Sequence, residues 1–441
     1  MRTLEERFGL AAHGTTVGTE CVAGVTTFLT MAYIMFVQPA VLSACGMDFG
    51  AVLAATCLST AFATTLMGLM ANYPIAVAPA MGHNFFFAYS VVIGMNVPWR
   101  VALGGVAVAG VAFILTAGIG LREWLITAIP SSIKHAIAAG IGLLIAAIGL
   151  QWGGLIVASP GTLVTLGDLH GRPALLAVGG LTFTAVLVAR RVPGAFLWGI
   201  LATAAAGLPL GIVRYQGIAS RPPSLMPTLM QLDVAGAFAP GMIAVVFVFF
   251  FLALFDSVGT LVGVGEQAGF MRDGTLPRAR QALLADAFGT VAGAMLGTST
   301  VTAYIESGAG VAAGGRTGLT SLVTAALFLL SLLFYPLITM IGGGFTQGGV
   351  TLYPVIAPPL ILVGTMMMGG LRRIEWDDPT EGVPAFLTLL LMPLAVSITE
   401  GVAFGLLSYA VLKLSAGRRR EVHPLIYVFA VLFLGRYMFL R

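Results

Sequence analysis

Two carboxylates stand alone in apolar sequence, and their chemistry sets the first question. Asp256 lies in Phe249-Phe250-Phe251-Leu252-Ala253-Leu254-Phe255-Asp256-Ser257-Val258-Gly259-Thr260, with no charged neighbour within nine residues on either side. Glu306 lies in a hydroxyl- and glycine-rich stretch, 296–316, with apolar sequence before and after it. A charge at membrane depth costs roughly 2.5–3.5 kcal/mol on insertion scales, so it usually faces a bundle interior or a cavity. Carboxylates in such places accept hydrogen bonds from a ligand's N–H groups, or carry a proton. The competing role for Asp256 is that of a buried packing residue bonded to neighbouring helices. Thr260, at i+4, shares its helix face.

The backbone around Glu306 is unusual for a membrane segment. Thr300-Val301-Thr302-Ala303 alternates like a strand, and the small-residue run after it suits a tightly packed helix. An extended piece leading into a half-helix at membrane depth is tolerated only where it is buried in protein or lines a cavity. The half-helix would bring free backbone N–H groups close to Glu306. A second interrupted stretch occurs at Asn72-Tyr73-Pro74-Ile75-Ala76-Val77-Ala78-Pro79-Ala80-Met81-Gly82-His83-Asn84, where two prolines hold the chain extended before a helix can start. Asn84 falls in the first turn after that break. It is a helix cap, or a site residue able to donate to and accept from a heteroaromatic ring edge. His83 beside it is either a titrating group or a structural one. Phe85, Phe86, Phe87 and Tyr89 suit stacking on a planar ligand, although packing is the commoner use of such residues. Glu266, about 15 Å beyond Asp256 along a helix, fits a gating or loop role. Asp286 fits a polar link within the core.

These residues need a scaffold, and composition names its class. Of 441 residues, 58% are hydrophobic and only 9% charged, a balance that marks an all-α polytopic membrane protein. At about 20 apolar residues per span, segments fall near 20–37, 50–70, 76–95, 99–120, 130–150, 174–189 and 193–213, then 239–263, 278–297, 299–314, 317–340, 352–369, 382–398 and 400–415. These are numbered as spans 1–14; an apolar tail at 424–440 spans or lies in the interface. With the N-terminus inside, sixteen Lys and Arg residues fall on cytoplasmic segments, Arg122, Arg272 and Arg316 among them, against four outside, Arg100, Arg172, Arg214 and Arg221. That bias fits the positive-inside rule. It also accounts for the net charge of +4, which is no sign of nucleic-acid binding. Met1–His13 is polar and no signal peptide is expected. The three cysteines (Cys21, Cys45 and Cys57) form neither a disulfide framework nor a metal-spaced cluster, and no cofactor or metal is expected. No HExxH, GxSxG or Walker motif occurs, which counts against an intramembrane enzyme.

Seven spans on either side of a polar connector at 214–238 put the two halves in opposite orientation, the condition for an inverted repeat. Spans 3 and 10 then correspond, and both are the broken ones. Interrupted segments at matching places point to a transporter's binding site.

At these residues the sequence resembles a known family. The runs Ala23-Gly24-Val25-Thr26-Thr27-Phe28-Leu29-Thr30-Met31-Ala32-Tyr33-Ile34, Ala78-Pro79-Ala80-Met81-Gly82-His83-Asn84, Phe255-Asp256-Ser257-Val258-Gly259-Thr260-Leu261 and Gly297-Thr298-Ser299-Thr300-Val301-Thr302-Ala303-Tyr304-Ile305-Glu306-Ser307 are similar to the adenine/guanine/hypoxanthine permeases. That is the AzgA-like branch of the nucleobase:cation symporter-2 (nucleobase–ascorbate transporter) superfamily. The resemblance implies fourteen helices in a seven-plus-seven inverted repeat. It implies a core domain from residues 1–120 and 235–345 (spans 1–4 and 8–11) and a gate from 121–234 and 346–441 (spans 5–7, 12–14 and the tail). It further implies a homodimer and proton-coupled purine uptake by an elevator-like motion. The family's binding residues map onto Asn84, Asp256 and Glu306; Ala80, His83, Thr260 and Thr302 complete the candidate site. Gln38-Pro39 replaces the usual Asn-Pro, Ala80 a usual Gly, and His83 a common aliphatic residue. The last two flank the site and bear on substrate preference.

A purine suits these groups. Carboxylates accept from its N–H edge, while Asn84 and half-helix N–H groups satisfy its acceptors. Two neighbouring carboxylates do not both ionise cheaply, so Glu306 or Asp256 can carry the coupled proton. An anion exchanger on the same architecture is the alternative, as is a uracil- or xanthine-type preference. The exchanger would call for a basic or uncharged site, not an acidic one.

Overall fold

The chain is seen in a computed structural model that describes residues 2–119, 130–271, 276–347 and 349–439. Arg122, Arg272 and Arg441, and the domain boundary expected at 120–121, lie outside the described residues. Helical structure occupies every expected segment. Span 1 is two helices, Val17–Met31 and Ile34–Ser43, the second containing Pro39. Spans 2 and 4–7 are Phe49–Leu66, Trp99–Ile119, Ser131–Trp152, Arg172–Ala189 and Ala195–Gly207. Spans 8 and 9 are Met242–Gln267 and Ala279–Leu296. Span 11 runs from Gly318–Ser331 on into Tyr335–Gly342. Spans 12–14 are Ala357–Met367, Pro379–Leu394 and Ile398–Ser415. Among the described residues, eight helical stretches are long and apolar enough to cross a membrane alone. The tail forms a helix, Pro424–Phe439, whose Phe429 ring packs 4.4 Å from Phe247 of span 8 and whose Tyr437 hydroxyl bonds Glu400 of span 14.

Spans 3 and 10 are each a strand followed by a short half-helix. In span 3, strand β1 (Val77–Pro79) leads into Met81–Phe85, with Pro79 delaying the helix until Ala80 has passed. Two hairpins, β2 (Ile156–Ser159) with β3 (Leu163–Leu166) and β5 (Phe345–Gln347) with β6 (Val350–Leu352), lie in loops. In span 10, strand β4 (Val301–Ala303) leads into Ser307–Ala312. β-Branched Val301 and Thr302 favour that extended backbone. β1 and β4 pair antiparallel, Val77 opposite Ala303, Ala78 opposite Thr302 and Pro79 opposite Val301. The ladder is extended by Ala80 N–H to Thr300 O (2.9 Å) and Tyr304 N–H to Ala76 O (2.9 Å). The ladder satisfies the facing backbone groups, and the hydroxyls of Thr64 and Thr290 meet the outward N–H and C=O of Val77 and Val301, at membrane depth, where an unpaired group would cost several kcal/mol. The two chain directions are opposed, as an inverted repeat requires.

Helix packing sorts the spans into two groups. Span 11 packs on spans 1 and 2, and span 9 on spans 2 and 4. Span 5 packs on spans 12 and 13, and span 13 on span 14. Close approach needs small residues: a Cβ on Gly68, at the end of span 2, would lie 2.6 Å from Gly318 O. The start of span 11 is held from span 1. The fully buried Glu20 carboxylate accepts from Arg316 N–H (2.9 Å), Thr317 N–H (3.3 Å), Thr320 N–H (3.2 Å) and Thr320 Oγ1–H (2.6 Å). These are orphan donors of a helix N-terminus, which a carboxylate serves well. At the far end of span 14, buried Lys413 meets Glu381 (2.9 Å) and Glu421 (3.0 Å), while Arg418 bonds Asp378 (2.5 Å) and Glu421 (2.8 Å).

Candidate functional site

Asp256 lies near the middle of the 26-residue helix Met242–Gln267, yet 46% of its side chain is accessible. Its Oδ2 accepts from Thr302 Oγ1 of β4 at 2.8 Å, and His83 Nδ1 of the first half-helix is 4.0 Å away. The accessible carboxylate therefore lies beside the strand ladder. Glu306 precedes the second half-helix, and its Oε1 accepts from Tyr33 Oη–H at 2.6 Å. Tyr33 sits at the break in span 1, and its ring meets Phe196 of span 7 edge-on at 5.5 Å. Ser307 Oγ accepts from Ala76 N–H at 3.0 Å, and Gln267 Nε2 donates to Gly308 O at 3.0 Å. The half-helix carrying Glu306 is thus tied to both the ladder and span 8.

Asn84 is fully buried in the first turn after Pro79. Its Nδ2 donates to Gln38 Oε1 at 2.6 Å, and Gln38 Nε2 in turn donates to Thr298 Oγ1 (2.9 Å) and Ser299 Oγ (3.0 Å). One chain of hydrogen bonds therefore runs from span 3 through span 1 to the loop before β4. Asn84 Oδ1 is left buried without a hydrogen-bond partner. Capping is not its role, since Ala80 holds the N-cap position of that half-helix.

The strand ladder and span 8 bring together Asn84, His83, Ala80, Asp256, Thr302 and Glu306. Ala80 contributes backbone, through its bond to Thr300 O. Thr260 is buried on the Asp256 helix, but the hydroxyl that reaches Asp256 belongs to Thr302. The aromatic run is packing: Phe85, Phe86 and Phe87 are fully buried, with Phe86 4.8 Å from the Phe249 ring. Glu266 is exposed at the end of span 8. Asp286 is fully buried, and its carboxylate faces Ser257 and the Ala303 N–H without closing an ordinary hydrogen bond to either. Tyr33, Gln38, Thr298 and Ser299 were not singled out from sequence as site residues. A buried amide beside a proline in an apolar span was the available signal for Gln38.

Long helices around two antiparallel strand–half-helix units, with carboxylates at their junction, define a multi-pass membrane transporter. Residues 18–404 match the Permease family. The chain belongs to that family, within the nucleobase permease superfamily. A protein of Methanocaldococcus jannaschii is 50% identical over 100% of this chain and 99% of its own length. The adenine permease AdeP of Escherichia coli is 45% identical over 99% of this chain and 96% of its own. The guanine/hypoxanthine permease PbuG of Bacillus subtilis is 44% identical over 97% and 98%. Among solved structures, the transmembrane domain of the cyanobacterial bicarbonate transporter BicA superposes with a TM-score of 0.63 at 18% identity, covering 87% of this chain and 97% of that one. At that identity the likeness speaks for the fold alone.

Proposed function

We propose that this protein is a purine nucleobase:proton symporter that works by an elevator-like motion. The observation that carries the reading is that Asp256 and Glu306 are each held by a hydroxyl donor, Asp256 by Thr302 of β4 and Glu306, four residues further along the same segment, by Tyr33. A neutral, planar base with N–H donors fits two acceptors of this kind, and adenine and guanine/hypoxanthine permeases stand among the relatives. An anion exchanger is disfavoured by the same carboxylates, which would repel its substrate. Glu306 and Asp256 are the candidates for the coupled proton. Spans 1–4 and 8–11 form the moving core, and spans 5–7 and 12–14 a gate through which two copies pair. The segregated helix packing supports this division. Where the groups meet, Tyr33 rests on Phe196, and Lys134 of span 5 lies 5.5 Å from the Phe255 ring. The Lys and Arg asymmetry supports an N-terminus and a span 14 end on the cytoplasmic side.

The test is uptake of labelled purine into proteoliposomes under an imposed pH gradient. Glu306→Gln is expected to abolish uptake while melting at the wild-type temperature. Uptake that persists in this variant and still follows the gradient would remove Glu306 from the mechanism.

A further inference from the structure

We propose that His83 and Asp256 together hold the coupled proton, seated between His83 Nδ1 of the first half-helix and Asp256 Oδ2 of span 8. This rests on the purine:proton reading above and gives one of its two candidate carboxylates a partner. His83 is 3% exposed, and its Nδ1 has no hydrogen-bond partner. The polar groups that face the ring are acceptors: Asp256 Oδ2 at 4.0 Å, and the main-chain carbonyl of Leu252, one turn earlier on the same helix. A neutral imidazole carries one N–H and one lone pair, whereas the imidazolium carries two N–H groups. With two acceptors before it, the neutral ring satisfies one and sets a lone pair against the other. Burying a polar group in that condition costs free energy. One added proton removes the mismatch, whether it rests on the nitrogen or on the carboxylate. A charge-assisted N–H···O bond is about 2.7–2.9 Å long, so protonation should draw the two groups together from 4.0 Å.

The pair is placed for exchange with the site. Asp256 is 46% accessible, so a proton arrives and leaves through its carboxylate, while His83 behind it is closed off. The other ionisable groups within electrostatic reach of Asp256 are Asp286 of span 9, Glu306 and the hydroxyls of Tyr33 and Tyr304. Spans 1, 5 and 8 pack against the His83 half-helix. The span 1 helix there, Ile34–Ser43, carries no charged side chain. On span 5, the Lys134 ammonium lies 5.5 Å from the Phe255 ring and His135 lies beside Gly370. Among the described residues none of these groups hydrogen-bonds Nδ1. Once joined to His83, Asp256 is held at Oδ2 by two partners, Thr302 and the ring, one from each half of the protein. Oδ1 is left to accept from a ligand N–H. Proton and purine then stabilise one arrangement of the same carboxylate, so each strengthens the binding of the other.

The test follows the dissociation constants of labelled adenine and hypoxanthine against pH on the full-length protein in detergent, together with uptake into proteoliposomes, for wild type and His83→Gln. In wild type the tighter-bound base should lose about tenfold in affinity per pH unit on the alkaline side. Gln supplies a permanent N–H to Asp256 and takes up no proton. The alkaline limb should therefore flatten, exchange of labelled for unlabelled base should persist, and accumulation driven by the pH gradient should fall by about tenfold or more. A purely structural His83 predicts an equal change in affinity at every pH; the wild-type slope with accumulation intact overturns the proposal. Should His83→Gln fail to fold, nitrogen NMR of full-length protein with His13, His135, His170 and His423 replaced by Gln reports His83 alone. Its Nδ1 resonance should move when base is added near neutral pH, and an unmoved one overturns the proposal. A wild type that binds neither base refutes the purine reading instead, and the response of Nδ1 to pH alone then decides whether the pair takes up a proton.

Discussion

Tyr33→Phe isolates one bond at the centre of the site. The hydroxyl it deletes has one acceptor, Glu306 Oε1 at 2.6 Å. The ring that remains is 1% exposed and keeps its edge contact with Phe196. The change therefore leaves no cavity larger than an oxygen atom, and packing terms nearly cancel. A hydrogen bond to a charged group contributes about 1.5–3 kcal/mol. If that bond holds Glu306 in place for substrate, its loss should weaken purine binding by a factor of about 10–150. Equilibrium binding of labelled purine to purified protein reads this directly, and a melting curve without ligand reads the folding cost separately. A packing role for Glu306 predicts the opposite split, a lower melting temperature with the wild-type dissociation constant. Wild-type affinity together with wild-type uptake in Tyr33→Phe would refute the placement of Glu306 at the substrate.

Two further outcomes concern the scaffold. Glu20→Ala strips an acceptor from three backbone N–H groups and one hydroxyl at the start of span 11, and should cost about 3 kcal/mol of stability; an unchanged thermal midpoint in detergent would contradict the anchoring role. At the start of span 13, hydrogen bonds from Arg418 and then Thr380 hold the Asp378 carboxyl well below the usual carboxylate range, and Arg418 and Lys413 lower Glu421. Both folded values are depressed, so this contribution to stability is present above the ordinary carboxylate value near pH 4 and drains away as pH falls below it. The thermal midpoint should therefore drop on acidification below about pH 4, and Asp378→Asn should lower it at pH 7 and flatten the acid limb; an acid limb as steep as that of wild type would argue against the cluster.

What was legible in the sequence was whatever carries an isolated cost. Asp256 and Glu306 stood out because a lone charge in apolar surroundings demands an explanation wherever it lands. The broken spans stood out because Pro74 and Pro79 forbid a continuous helix, and because Thr300–Ala303 alternates like a strand. The pairing of the two strands was not read from the sequence; it serves to satisfy backbone groups away from water. Gln38, Tyr33 and Glu20 gave no comparable signal. Each is made inexpensive by a partner more than 250 residues away in the chain, Thr298, Glu306 and Thr320 respectively. No local period records such a pair. Asn84 was legible as a position, but not its bond to Gln38, which comes from another span.

The distribution of these groups between the halves explains why the site needs both. The first half supplies Gln38, Asn84, His83 and Tyr33; the second supplies Asp256, Thr302, Glu306 and the hydroxyls of Thr298 and Ser299. Every hydrogen bond that orients a candidate ligand-binding side chain here, whether Tyr33 to Glu306 or Thr302 to Asp256, draws on a partner outside that residue's own element. Positive half-helix N-termini reach the site from opposite directions, so carboxylates from the second half can sit there at reduced cost while amide and ring groups come from the first. Two identical halves would present like groups to like across the ladder. Under the purine reading proposed above, divergence after inversion would give the symmetric frame an acidic wall and an amide wall, one for each edge of a planar base.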